Sequence, residues 1–178
     1  GNPWVGEAPP AEGGEFTFYN KSGDGFLLGA NTWGTQGSLG QPGLLCTVVV
    51  SNGKYKIVTR CNGDNRGLGS DGYIDNGNPA EYTFTDPTPD DGLNEYVMNL
   101  DANKWFYYGG EGTVLNLDGN GSATDAQWLF VSKAQREQRL NQATKDNGWM
   151  LRSISWEPVL FAQNLTIGKR CIMAERLV

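Results

Sequence analysis

Residues 96–109, Tyr96-Val97-Met98-Asn99-Leu100-Asp101-Ala102-Asn103-Lys104-Trp105-Phe106-Tyr107-Tyr108-Gly109, read as a strand opening, a polar turn and a second short strand closed by glycine. The same order occurs twice upstream. Phe16-Thr17-Phe18 is followed by the turn Lys21-Ser22-Gly23-Asp24-Gly25 and then Phe26-Leu27-Leu28-Gly29. Tyr55-Lys56-Ile57 is followed by Cys61-Asn62-Gly63-Asp64-Asn65 and then Gly67-Leu68-Gly69. Each copy ends on one more strand: Thr47-Val48-Val49-Val50, Glu81-Tyr82-Thr83-Phe84 and Gln127-Trp128-Leu129-Phe130.

The copies start at Phe16, Tyr55 and Tyr96, 39 and 41 residues apart, so three units of about four strands span residues 15–132. A lone hairpin cannot bury its apolar face, and three such units gain stability by sharing one core. Closing into a barrel also removes sheet edges. Repeats near this length occur in propellers, but three copies are too few for one. The expected fold is all-β, a β-trefoil. The 25 glycines, about twice ordinary usage, agree with short strands joined by many turns.

Within the first copy, Phe16 to Leu39 carries Asn20, Leu27-Leu28-Gly29 and Asn31-Thr32-Trp33-Gly34-Thr35-Gln36. This segment resembles the opening repeat of ricin-type β-trefoil modules in bacterial secreted and surface proteins. The resemblance covers about two thirds of the chain and implies a carbohydrate-binding, lectin-like fold. The Gln-x-Trp signature of that family is not matched: the third copy has Ala126-Gln127-Trp128 with the two residues adjacent, and the other copies have no such pair.

Outside the repeats, the Pro- and Gly-rich residues 1–14 read as a flexible tether. Gly1 reads as a cleavage scar, which leads to the expectation of a secreted or cell-surface chain whose signal sequence has been removed. After the repeats, Ser132-Lys133-Ala134-Gln135 is a capping-box pattern, and good helix formers follow as far as Asn147-Gly148. A mostly polar, lightly packed helix over roughly 133–144 is expected. The rest of 133–178, with Trp149 and Trp156, then packs on the trefoil or begins a second domain. Cys46, Cys61 and Cys171 leave two readings open, one bridge plus a thiol or three small buried hydrophobes.

The net charge of −6 without a Lys/Arg cluster argues against nucleic acid as partner and against an anionic membrane surface. No apolar run approaches the ~18–20 residues of a membrane span, so membrane insertion is not expected. The absence of histidine removes Ser-His-Asp and Cys-His chemistry and the usual metal sets. No cofactor and no metal are expected. Asp118-Gly119-Asn120-Gly121 begins like a calcium loop, but Ala123 stands where glycine is required and no Glu follows at the twelfth place, so it reads as a polar hairpin loop. Asp86, Asp90 and Asp91 form an acid cluster in a Pro-rich connector, where solvated charge is the simpler reading.

Neutral sugars are held by aromatic faces with amides and carboxylates on the hydroxyls. Three places offer that mixture. In the first copy it is Asn31, Trp33 and Gln36, with Trp33 as a plug for the barrel bottom the other reading. In the second it is Asp71 and Tyr73, beside Asp75, with ordinary hairpin-turn chemistry the alternative. In the third it is Trp105, Tyr107, Asn116 and Asp118. There Phe106 aligns with Leu27 and Leu68 as core, which turns Trp105 and Tyr107 outward. The expectation is a non-catalytic module that binds a glycan or glycoprotein. A protein-interaction or structural module without a sugar ligand is the alternative.

Overall fold

The computed structural model describes residues 4–29, 36–60, 65–110, 115–119, 126–146, 154–160 and 173–177. Ten strands make one curled sheet: β1 (Glu15–Asn20), β2 (Gly25–Gly29), β3 (Gly37–Gly40), β4 (Cys46–Ser51), β5 (Lys54–Val58), β6 (Thr83–Thr85), β7 (Tyr96–Asp101), β8 (Lys104–Tyr107), β9 (Asn116–Asp118) and β10 (Gln127–Ser132). One helix follows, α1 (Lys133–Asp146), then a separate two-stranded sheet of β11 (Ile154–Leu160) and β12 (Met173–Leu177).

All the pairings are antiparallel and mostly between chain neighbours, as turn chemistry dictates. Between β4 and β5, Asn52 and Gly53 both take positive φ, 53° and 73°. That is the two-residue turn whose twist suits a hairpin, and it sets the register Ser51–Lys54 through Thr47–Val58. Longer-range pairs bend the sheet round. β1 pairs both β4 and β10, β10 pairs β7, and β7 pairs β6. A single bridge, Tyr55–Tyr82, joins β5 to the start of β6 and completes the circuit.

Inside lies one core drawn from all three repeated segments. Phe18, Ile57 and Met98 are fully buried in it, as are Leu27, Leu68 and Phe106. Phe16 is buried there too, with Tyr55 and Tyr96 packed against its margin. Period-two alternation explains the selection, since residues i and i+2 of a strand share a face. The second unit departs from the expected four strands. Gly67-Leu68-Gly69 makes only isolated bridges, Gly67 with Val58 and with Asn76. A Cβ at Gly67 would stand 2.0 Å from the Ile57 carbonyl oxygen, so this segment runs too close to β5 for a side chain.

β1 and β10 are apolar on both faces. Phe16, Phe18, Trp128 and Phe130 enter the main core, whereas Tyr19, Leu129 and Val131 join Phe26 in a second cluster. The start of α1 and the N-terminal segment cover this cluster. Trp4 packs on Phe26 edge-on at 5.4 Å, and the Arg136 guanidinium sits 4.5 Å over the Phe26 ring.

Two expectations change here. The helix packs through a buried arginine rather than lightly, because Arg136 is 4% exposed and donates to the Pro42 carbonyl. From Trp4 onward, the segment expected as a tether is stitched down. Glu7 bridges Phe130, and the Gln135 side chain bonds both the N–H and the C=O of Val5. The sequence cue of Pro and Gly was correct about irregular backbone but is blind to these long-range bonds. The helix runs to Asp146, two residues beyond the expected end. Its stop at Asn147-Gly148, Trp149 and the side chain of Trp156 lie outside the described residues, as do Cys61 and Cys171. Cys46 is fully buried, its Sγ donating to the Leu44 carbonyl at 3.7 Å.

Candidate functional site

The β8–β9 hairpin carries the densest group of predicted residues. Trp105 lies directly opposite Asp118, Phe106 opposite Leu117, and Tyr107 opposite Asn116. Directly opposed residues share a sheet face, and successive residues alternate. Trp105, Tyr107, Asn116 and Asp118 therefore occupy one face. Phe106 is buried in the core from the other, with Leu117 packed against it. Trp105 and Tyr107 are half-buried and Asn116 is exposed.

Three contacts order this face. Tyr107 donates its hydroxyl to the Asp118 carboxylate. Burial, and then that carboxylate, raise the Tyr107 phenol above its ordinary value, so it stays a donor throughout the neutral range. The Asn116 amide lies against Gly109, where an added Cβ would meet Nδ2 at 2.6 Å. The six-membered edge of Trp105 lies beside Gly119.

The same face continues across two more strands. Asn99 of β7 is directly opposite Trp105, and Thr83 of β6 is directly opposite Asn99. Beyond Trp105 a groove of about 670 Å³ opens, with Val97, Leu100, Ala102, Trp105 and Ala126 as its apolar lining. Lys54, Glu81, Thr83, Thr85, Asn99 and Asp101 supply its polar lining. None of these was singled out from the sequence. The signal was present in the alternation: with Phe84 and Met98 in the core, their neighbours Thr83, Thr85, Val97 and Asn99 must face outward.

The other predicted residues are placed elsewhere. Gln36 and Tyr73, from the first and second copies, meet in an isolated bridge beside the bond from Gly37 N–H to the Gly72 carbonyl (2.9 Å). Tyr73 is exposed. Asp71 serves its own turn, accepting the Tyr73 N–H at 3.0 Å and the Asn76 amide at 3.4 Å. Asp75, expected beside them, is instead buried in an ion pair with Arg66 at 2.5 Å. Asn31 and Trp33 lie outside the described residues, as does most of the loop after Asp118. In the acidic connector, Asp86 accepts the Thr88 N–H, and Asp91 accepts both the Leu93 N–H and the Thr88 hydroxyl. The Leu93 N–H, then Thr88, hold the Asp91 carboxyl below its usual range. Those carboxylates are engaged in turns. Among the described residues no three His, Cys, Asp or Glu side chains gather as a metal site, and no helix is long and apolar enough to cross a membrane.

No family model and no curated protein matches the chain. Among solved structures it is similar to a salivary protein from Culex quiquefasciatus of the Cysteine and Tryptophan-Rich (CWRC) family. The TM-score is 0.50 at 11% identity, over 74% of this chain and 99% of that one. It is also similar to SeviL bound to asialo-GM1 saccharide, with a TM-score of 0.49 at 10% identity, over 68% and 98% of the two chains. At such identities the likeness to the salivary protein concerns the fold alone.

What the β8–β9 face can do follows from its chemistry. A half-buried indole and phenol offer apolar faces to C–H groups, and an amide and a carboxylate within two strands of them bond hydroxyls.

Proposed function

We propose that this chain is a non-catalytic carbohydrate-binding module of a secreted or surface-anchored protein, built as a β-trefoil. It binds a neutral glycan on the outer face of β8 and β9. The observation that carries the reading is the pairing of Trp105 with Asp118 and of Tyr107 with Asn116 on one face, with Phe106 sealed beneath. The trefoil reading is supported by the matched burial of Phe18, Ile57 and Met98, and of Leu27, Leu68 and Phe106, in a single core.

Trp105→Ala tests the function. Loss of aromatic stacking of about 1 kcal/mol corresponds to about a fivefold loss of affinity, measured by calorimetry on a glycan first found by array. The fold survives, because Phe106 and not Trp105 fills the core. Full affinity in the variant would place the sugar elsewhere. A wild-type protein silent on a broad array would remove the reading.

A further inference from the structure

We infer that the ligand site runs past Trp105 into the groove over β6 and β7, and that its ligand is an oligosaccharide of at least two rings rather than a single sugar. The inference rests on the glycan reading above and adds to it the size of the ligand and the residues that meet its second ring.

Four directly opposed residues form one row across the sheet: Thr83, Asn99, Trp105 and Asp118. At ~4.8 Å between strands the row spans roughly 14 Å, longer than one sugar ring. Trp105 stands inside the row, not at its end. One side of it offers Asp118, Tyr107 and Asn116; the other opens into the groove of about 670 Å³.

The centre of the row is incomplete within the protein. The amide oxygen of Asn99 and the indole N–H of Trp105 are buried side chain to side chain across the strands, and neither has a hydrogen-bond partner. An unpaired buried polar atom costs ~1–3 kcal/mol. Both atoms are closed to solvent, so a ligand hydroxyl meets Asn99 only with a turn of its amide, whose Nδ2 donates to the Asp101 carbonyl at 3.4 Å. The Asn χ2 torsion is broad, and on this inference the amide turns so that its oxygen accepts a hydroxyl of the second ring.

The lining selects the class of ligand. Glu81 and Asp101 face a single Lys54, which disfavours polyanions such as nucleic acid or sulfated chains. Threonine hydroxyls, an amide and carboxylates beside an apolar lining suit a polyol. A peptide added as a strand needs a free sheet edge, whereas this groove lies on a face.

The test compares monomers and dimers of glucose, galactose, mannose and N-acetylglucosamine by ligand-observed NMR and calorimetry. The variants are wild type, Thr83→Trp, Asn99→Ala and Trp105→Ala, with melting curves as a check on folding. In wild type the preferred dimer is expected to bind at least tenfold tighter than its monomer. Thr83→Trp, which fills the groove from the face opposite Phe84, removes that gain, so that the dimer binds no tighter than the monomer. Asn99→Ala removes the same gain without added bulk, and Trp105→Ala weakens monomer and dimer alike. If monomer binding depends on Trp105 but the dimer gains nothing, or both groove variants keep the gain, the groove inference is overturned and the glycan reading stands. If no sugar binds, or Trp105→Ala changes nothing, the glycan reading fails and the groove inference with it.

Discussion

On the β8–β9 face, Tyr107 and Asp118 act as a pair. The phenol holds the carboxylate by a hydrogen bond from an adjacent strand, and burial keeps the phenol protonated. Tyr107→Phe keeps the ring and removes its hydrogen bond to Asp118, so on the proposed reading glycan affinity should fall by up to tenfold while the melting temperature stays put; calorimetry beside a thermal melt checks both. The Arg66–Asp75 pair is structural. The Asp75 side chain is 3% exposed, and Arg66 donates from Nε to its carboxylate and from Nη2 to its carbonyl (2.8 Å). Arg66 is itself 34% exposed, so solvent screens it in part. Asp75→Ala should cost about 2 kcal/mol, seen as a lower denaturant midpoint, with sugar binding untouched.

At the level of elements, the start of α1 shows how a local signal is completed from a distance. Ser132 accepts the Gln135 N–H at 3.1 Å, the first half of a capping box. The return bond to the Ser132 N–H comes from Glu7 at 2.7 Å and not from Gln135. Gln135 is thereby released to hold Val5 and Glu7. Ser132→Ala should destabilise by about 1 kcal/mol. Glu7→Ala should cost a comparable amount, although it lies far outside the helix in sequence. If equilibrium unfolding finds Glu7→Ala neutral while Ser132→Ala is costly, the N-terminal segment lies passively on the helix. Arg136 works by the same logic, covering Phe26 and bonding Pro42 where an apolar residue would be the ordinary choice.

Across the whole molecule, the buried tyrosines make stability depend on alkali. Burial, then Asp24, raise Tyr19 above its ordinary value; burial, then Asp71, raise Tyr82, whose hydroxyl donates to the Gly69 carbonyl at 2.6 Å. A folded-state pKa above the unfolded one means that the native state holds protons the unfolded chain has released. Stability is therefore fully present below about pH 10, the ordinary tyrosine value, and falls as pH rises beyond it. Melts between pH 8 and 11 should show that fall, and Tyr82→Phe should make it shallower. An unchanged slope in Tyr82→Phe would shift the effect to Tyr19.

The sequence by itself determined most of the elements, the expected strand at Gly67-Leu68-Gly69 excepted. Alternation placed Phe18, Ile57, Met98 and Phe106 inside, turn residues ended the strands, and a serine with glutamine three places on began the helix. These are local signals, set by periods of two and 3.6 residues and by backbone conformation, and one chain segment carries each of them whole. The face of β8 was legible for the same reason, since fixing Phe106 as core turns Trp105 and Tyr107 outward. Only the tertiary structure decided the long-range neighbours, β1 with β4 and β10, and β10 with β7. Register across β6, β7, β8 and β9 brings Thr83, Asn99, Trp105 and Asp118 into one row, pulls Asp75 away from Tyr73 to Arg66, and sets Glu7 on Ser132. Whether they join near positions, as Arg66 and Asp75, or distant ones, as Glu7 and Ser132, these arrangements are chosen by the shared core, which no single segment encodes.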